Sequence, residues 1–320
     1  MILAGDVGAT KTMLGVFASD GSLIRQRTFL SSAYAGLEPM IHEFLNGDRE
    51  ITTACFGVAG PVIDQGAEIT NLSWTVRADT LATELQISEV RLINDLVALG
   101  HGVACLTDKD FLVLNQGQAV PGANAAIIAA GTGLGECTLY CNGAGYVPIP
   151  AEAGHADFAP YDDISLQLFS HLRRHAPVGV ELVVSGMGIV NIYDFLRDRG
   201  ELPESALIKE RMKNSDPAAV IAQAGAAEEC ALCARTLQIF ISAYGAEAGN
   251  LALRSLALGG IYVGGGIARK LTSRLCDGSF MKAFVTKDRQ TELLSLIPVR
   301  VIMNENAPML GAARYLTQHS

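Results

Sequence analysis

The chain of 320 residues reads as an α/β protein made of two loosely similar halves. Three observations predict this. The first hundred residues follow a β-β-β-α-β order, with apolar strands broken by glycine turns. A second strand, glycine turn, strand unit begins near residue 123. Hydrophobic residues make up 49% and charged residues 18%, enough apolar surface for a sizeable core and too little charge for disorder. The length favours two lobes or one large α/β unit. A composition shift near Asn115–Asn124, without a low-complexity linker, sets the division. We expect a small lobe over residues 1–115 and a large lobe over 116–304, closely hinged. A terminal helix at about 305–320 is expected to pack back on the first lobe.

The elements follow in order. ILAGDVGAT is a strand running into a glycine turn, and KTMLGVFA is the next strand. Asp20-Gly21 signals a hairpin into a third strand, LIRQRTFL. Residues 36–46 have helical spacing, with Leu37, Met40, Ile41, Phe44 and Leu45 on one face. TTACFGVAGP is a buried strand; a helix at 78–86, the strand VRLIND and a helix from near Leu96 complete the half. A Rossmann unit alternates strand and helix from its start, so this order excludes one. The second half opens with ANAAIIAAGTGLGECTLY, followed by the extended YVPIP. Helices are expected at about 163–175, 185–199, 216–224 and 226–257. GGIYVGGGIARKL reads as strand, glycine turn and helix start, IPVRVIMN as a last strand and APMLGAARYL as the terminal helix.

Composition narrows the function. The formal charge of −9, from 33 acids and 24 bases, lacks a basic stripe and argues against a nucleic-acid partner. Nucleotides remain open, because backbone N–H groups and helix N-termini hold phosphates without bulk charge. MILAGDVGATK carries no basic leader, and the apolar stretch 236–267 contains Glu247, Arg254 and a Gly-Gly pair. We read that stretch as a buried helix and strand rather than a membrane span, so no membrane partner is expected and the cytoplasm is the default location. Seven scattered cysteines suggest reduced, mostly buried thiols. Cys230-x-x-Cys233 has no second pair for a four-cysteine zinc site and reads as core packing.

Several motifs carry chemistry. Gly5-Asp6-Val7-Gly8-Ala9-Thr10 lies between two strands, where small residues let a phosphate approach the backbone. Asp6 at the strand end can orient Mg²⁺ through water. Gly131-Thr132-Gly133-Leu134-Gly135 repeats this in the second half; no Gly-Lys-Ser/Thr follows, so it is not a Walker loop. Taken singly, each glycine hairpin also reads as plain structure; the pair suggests a grip on a polyphosphate from both sides. Gly264-Gly265-Gly266 permits close approach of a flat group such as adenine, or is simply a tight strand-to-helix turn. Asn94-Asp95 ends a strand, where a carboxylate can take a hydroxyl proton or cap the next helix. Glu152 and His155 can share one sugar through its hydroxyls; a zinc site there lacks further ligands. Glu181 is a carboxylate just before the next helix.

Together these segments resemble the bacterial glucokinase family, within the actin, sugar-kinase and Hsp70 ATPase fold. GDVGAT resembles its first phosphate loop, AAGTGLGECTLY its second, GGIYVGGGIARKL its adenosine segment, and LINDLVALG and ENAPMLGAARYL its two connecting helices. INDLVAL, AEAGHADFAP and VELVVSGMGIVNIYDFL are similar to the corresponding glucokinase stretches. The resemblance implies a two-lobed actin-like ATPase (ribonuclease H-like) fold, each lobe a mixed β-sheet flanked by helices. It implies ATP as co-substrate with Mg²⁺, glucose as acceptor, and a homodimer. It further implies Asp95 as the base for the sugar 6-hydroxyl, and Asn94, Glu152, His155 and Glu181 as holders of the sugar hydroxyls. Gly5, Asp6, Val7, Gly8, Ala9 and Thr10 would border magnesium and phosphates, Gly131, Thr132 and Gly133 the transferring phosphoryl, and Gly265 and Gly266 the adenosine.

Two departures stand out. The family's first loop usually reads Gly-Gly-Thr-Asn; here it is Gly8-Ala9-Thr10-Lys11, which replaces an amide with a positive charge. The usual Glu-Gly-Gly-His becomes Glu152-Ala153-Gly154-His155, keeping both polar groups. Residues 156–180 lack the cysteines of the zinc motif found in a sister family of sugar kinases and repressors. The rival readings are a kinase of another hexose or amino sugar, and a sugar sensor without turnover.

Overall fold

The computed structural model of the protein describes residues 1–48, 50–69, 72–174 and 176–319. Its contacts divide the chain into two compact units. One comprises Met1–Asp110, Ala144–Pro150 and Asn304–Ser320; the other comprises Phe111–Gly143 and Ala151–Met303.

In the first unit, β1 (Ile2–Val7) pairs antiparallel with β2 (Lys11–Phe17), which pairs antiparallel with β3 (Leu23–Leu30). On its other side β1 runs parallel to β4 (Thr53–Val58), and β4 parallel to β7 (Glu89–Asn94). The sheet is therefore mixed, in the order β3-β2-β1-β4-β7. Strand alternation sorts its side chains between two cores. Leu3, Val7, Leu14, Ala54 and Phe56 face helices α1 (Leu37–Leu45) and α2 (Ala78–Leu85). Ile2, Ala4, Met13 and Cys55 face α3 (Asp95–Val103) and the terminal α13 (Ala307–His319) through Ala98, Met309, Ala312 and Leu316. The five apolar residues predicted for one face of α1 are all buried. A short antiparallel ribbon, β5 (Gly66–Ile69) with β6 (Trp74–Arg77), went unread in the sequence.

In the second unit the strands run β10-β9-β12-β13-β8. Here β9 (Ala125–Ala130) is antiparallel to β10 (Leu134–Cys141) and parallel to β12 (Gly260–Gly264). β13 (Val299–Ile302) is parallel to β12 and antiparallel to β8 (Phe111–Asn115). That last pairing places β8 with the second unit, whereas the division at residue 115 left it with the first. The core gathers around the 25-residue helix α8 (Ala231–Ser255), with Leu237, Phe240, Ile241, Tyr244 and Ala248 buried. Helices α5 (Gly186–Arg199), α7 (Pro217–Ala226) and α11 (Ser279–Val285) pack on it.

The expected helix from 226 to 257 begins instead at Ala231, because Glu228 turns the backbone to φ +57° and Cys230 takes the N-cap position. The helix expected to reach 175 ends at Leu172. Ala206–Asn214 is a further helix that the sequence reading left out; only Ile208 along it is buried, so its apolar period is weak. Cys230 and Cys233 are buried free thiols, and burial pushes Cys233 up to about 12. No helix among the described residues is long and apolar enough to cross a membrane.

Candidate active site

In the first unit three parallel strands finish together: Val7 is the register partner of Val58, and Val58 of Asn94. Carboxyl ends of parallel strands are where open α/β sheets expose ligand-binding loops. From this edge emerge the Gly8–Thr10 turn, the loop holding Gly60, and Asp95 at the start of α3. Asn94 caps α3. Its Oδ1 accepts the amides of Leu96 at 2.9 Å and Val97 at 3.3 Å, and its Nδ2 donates to the Gly60 carbonyl at 3.1 Å. The cap expected of the Asp95 carboxylate is thus supplied by Asn94 instead, and it fixes where α3 begins. Asp95 is the first helical residue and half-buried, with Oδ1 accepting the Leu96 amide at 2.9 Å. Asp6 is half-buried on the sheet face shared with Ile2 and Ala4, the face that α3 and α13 cover.

The first glycine turn closes with Gly8 N donating to Lys11 O at 3.1 Å. Ser31 braces it from outside: its hydroxyl donates to the Gly8 carbonyl at 2.7 Å and its amide to Thr10 O at 3.2 Å. Thr12 Oγ1 lies 3.0 Å from Ser31 Oγ, and both residues are buried. Two of the named loop residues sit elsewhere. Gly5 is buried in mid-strand, where a Cβ would come 2.6 Å from Phe56 Cδ1, so its lack of a side chain serves the core. The Val7 side chain is wholly buried against the α1 and α2 face. Lys11 reaches away from the turn to Glu305, Nζ to Oε2 3.0 Å, with both side chains about half exposed.

In the second unit the two other glycine turns leave neighbouring strands. The β9–β12 ladder ends at the pair Ala129 and Gly264. After β9, Gly131 N donates to Gly133 O at 2.8 Å, and Gly131 O accepts Gly186 N, at the start of α5, at 2.9 Å. After β12, Gly265 takes φ +88°, and a Cβ there would collide with the Ala130 carbonyl. That position requires glycine. Among the described residues a Cβ on Gly131 or Gly266 would meet nothing within 4 Å, which leaves room beside both turns. Thr132 is exposed between the glycines.

The segments that carry the sugar-contact candidates of this unit meet Leu134, the first residue of β10, through Gly154 and Glu181. Ala153–His155 form a 3₁₀ turn, with His155 N donating to Glu152 O at 3.1 Å and both side chains exposed. Gly154 is buried because a Cβ would collide with the Leu134 carbonyl; this explains why the second glycine of the motif survives while the first tolerates alanine. The following segment pairs with residues 178–180, through Phe158 N to Val178 O at 2.8 Å and Val180 N to Ala156 O at 2.9 Å. Glu181 follows directly, and its Oε2 accepts the Leu134 amide at 2.8 Å. Ser185, the N-cap of α5, donates its hydroxyl to the Glu181 carbonyl at 2.6 Å.

Within this unit the structure thus brings Glu152, His155 and Glu181 to the turn of Gly131–Gly133. Within the other it brings Asp6, Gly8, Asn94 and Asp95 to one sheet edge. The sequence reading missed Ser31, Gly60 and Ser185, which hold these groups. Only Ser185 carried a signal, as a serine at the very start of the helix expected over 185–199.

Comparisons with known proteins give the family and the fold. A model of the glucokinase family matches residues 3–319. A glucokinase from a Nostoc species is 42% identical over 98% of this chain and 98% of its own. One from Yersinia enterocolitica is 31% identical over 99% and 96%. Among solved structures, a glucokinase from an Antarctic psychrotroph superimposes with a TM-score of 0.83 at 28% identity, covering 100% of this chain and 99% of that one. A ROK family glucokinase from Streptomyces griseus, in complex with glucose and AMPPNP, shares the fold at a TM-score of 0.67 and 18% identity, covering 100% and 99%.

Proposed function

The chain belongs to the glucokinase family and phosphorylates D-glucose at its 6-hydroxyl with ATP, and from that premise we propose how its residues divide the work. Asp95 takes the proton of the 6-hydroxyl as the oxygen attacks the γ-phosphoryl. Such a base typically contributes about 10²–10⁴-fold. Its place supports the role: a half-buried carboxylate on the first residue of a helix whose start is fixed by the Asn94 cap. Asn94, Glu152, His155 and Glu181 hold the sugar hydroxyls. The Gly8–Thr10 and Gly131–Gly133 turns offer backbone N–H groups to the phosphates, and the open side of Gly266 takes the adenosine. Phosphoryl transfer passes through a loose transition state, so positioning and charge stabilisation do most of the work.

Asp6 would hold Mg²⁺, usually through water. A single half-buried carboxylate beside a glycine turn fits an ion that keeps several waters and takes its other ligands from phosphates. Among the described residues no group of three or more His, Cys, Asp or Glu forms a protein cage for a metal, which also suits that mode. When bound, Mg²⁺ supplies charge neutralisation at the phosphates. We place the enzyme in the cytoplasm as a homodimer, on the family resemblance.

The observation that supports the residue assignment is the approach of Gly154, between Glu152 and His155, and of Glu181 to Leu134, the residue that closes the second glycine turn. The test is ADP release with Mg-ATP against glucose, mannose, fructose and glucosamine, for the wild type and Asp95→Ala. Preference for glucose and a loss of at least about 100-fold in turnover for the variant, with glucose binding retained, is the expected result. A variant that keeps most of its turnover removes Asp95 as the base.

A further inference from the structure

We propose that the Tyr244 hydroxyl is a positioning group for ATP, tying together the ends of β9 and β12 from which the two nucleotide turns spring. The proposal rests on the reading that Gly131–Gly133 and Gly265–Gly266 receive ATP. Tyr244 lies in the middle of α8 and is wholly buried, its ring packed against Phe240 and Phe280 at centroid distances of 5.9 and 5.6 Å. Among such neighbours a phenylalanine would fill the space without any polar atom to satisfy. The oxygen is there for another reason. It accepts the Ala130 amide at 3.1 Å and lies 3.2 Å from the Gly264 carbonyl and 3.3 Å from that of Ile128.

Ala130 is the last residue of β9 and Gly264 the last of β12. The regular ladder between these strands stops at Ala129 and Gly264, so beyond it the strand ends need another tie. One hydroxyl supplies it, accepting from one strand and sharing its single proton between carbonyls of both. The next residues are Gly131 and Gly265. Gly265 has its α-carbon against the Ala130 carbonyl, with no room for a Cβ, so a displacement of Ala130 is passed to both turns. Burial raises the phenol well above its ordinary value, with Ala130 opposing; the proton stays on the oxygen throughout the working range. Tyr244 does not touch substrate, and it acts through the two turns.

The variant is Tyr244→Phe, with Phe240→Leu as a neighbour that loosens the same core and keeps the hydroxyl. The probe is a non-hydrolysable ATP analogue with Mg²⁺, followed by calorimetry, beside kcat and KM for each substrate. For Tyr244→Phe we expect the analogue Kd and the ATP KM to rise on the order of 5–20-fold, the size of one lost hydrogen bond. The Kd for glucose stays within about twofold, and Phe240→Leu lowers the melting temperature without raising the ATP KM. Equal nucleotide affinity in Tyr244→Phe and wild type, with only a lower melting temperature, overturns the proposal. A wild type that binds glucose but no nucleotide overturns the reading beneath it and so the proposal too; the wild-type control tells the two failures apart. If Tyr244→Phe does not fold, hydrogen exchange at the Ala130 amide of the wild type decides. Slowing by the analogue supports the tie, and an unchanged rate overturns it.

Discussion

The two glycine hairpins look alike in sequence and are held by different means. Gly8–Thr10 lies between β1 and β2 and takes its braces from close by: Ser31 is 23 residues from Gly8, on the stretch that continues β3. Gly131–Gly133 lies between β9 and β10 and is held from afar. Glu181 takes the Leu134 amide from 47 residues on, Gly186 reaches Gly131 O from the start of α5, and Tyr244 takes the Ala130 amide from 114 residues on. The braces of the first hairpin are in place once its meander has formed. The second becomes a site only when three helical segments have packed around it. One consequence is functional: Glu181 belongs both to the frame of the second hairpin and to the proposed sugar set. Sugar occupancy and the shape of that phosphate turn are then linked through one carboxylate.

Removing one brace from each hairpin tests that difference. Glu181→Ala leaves the Leu134 amide without its acceptor and deletes a proposed sugar contact. We expect kcat/KM for glucose to fall on the order of 10–100-fold, the range for a hydrogen bond to a charged group. Ser31→Ala deletes a neutral hydroxyl that serves Gly8 O and Thr12. A stability loss of about 1 kcal/mol and a rise of the ATP KM by roughly fivefold are expected, with the KM for glucose unchanged. Steady-state kinetics on both substrates reads the contrast. If Ser31→Ala disturbs glucose and ATP equally, the first hairpin is not the local device its contacts describe.

This contrast also marks what the sequence could tell. Apolar runs with glycine turns placed β1, β2, β9, β10 and β12 and both hairpins, because strand periodicity and turn chemistry are local. Asp95 at a strand's end was legible for the same reason, and Ser185, though missed, carried a local signal of the same kind. The braces were not. Nothing in the spacing of Tyr244, inside an apolar helix, separates it from Phe240, and the partner of Lys11 lies 294 residues away. Gly5 misled for the opposite reason: it stands in a motif, while its missing Cβ answers to Phe56 across the sheet. Polar helices without a burial period, such as Ala206–Asn214, escaped because only one residue along them is buried.

The second hairpin also carries a buried titrating neighbour. Two residues beyond Leu134, Glu136 is buried beside Arg254, whose Nη2 lies 3.2 Å away and also pairs with Glu247. Asn250 donates to Glu247 at 2.8 Å and accepts from Lys287 at 2.7 Å. Burial pushes the Glu136 carboxyl up to about 8, with Glu247 adding to the effect and Arg254 opposing it. Among the described residues its Oε1 finds no donor, so nothing there favours the ionised form. The folded state therefore keeps a proton that the unfolded chain releases at the ordinary value of 4.5. The contribution to stability is complete below that value and is lost as pH rises through about 8. Glu136→Gln, neutral at every pH, should remove this slope. Urea unfolding at pH 6, 7, 8 and 9 is expected to show the wild type losing ground to the variant up to about pH 8 and then running parallel. Curves parallel throughout would mean that Glu136 is ionised in the fold.

The smallest effect is expected at Lys11, where the first hairpin departs from its family. Its ammonium pairs with Glu305, and side chains 48% and 57% exposed make this a solvent-screened pair, worth at most about 1 kcal/mol. What it links is the first residue of β2 to the segment just ahead of α13. Lys11→Asn, which restores the usual residue, should leave the melting temperature nearly unchanged and the ATP KM within roughly threefold, with any difference shrinking at high salt. Such a result leaves backbone N–H groups as the anion grip of the first hairpin and gives Lys11 to Glu305. A rise of the ATP KM beyond about tenfold, which is 1.4 kcal/mol, exceeds what an exposed pair can supply. It would put the lysine charge on the phosphates, so that the hairpin with the nearer braces would be the one that grips with a side chain.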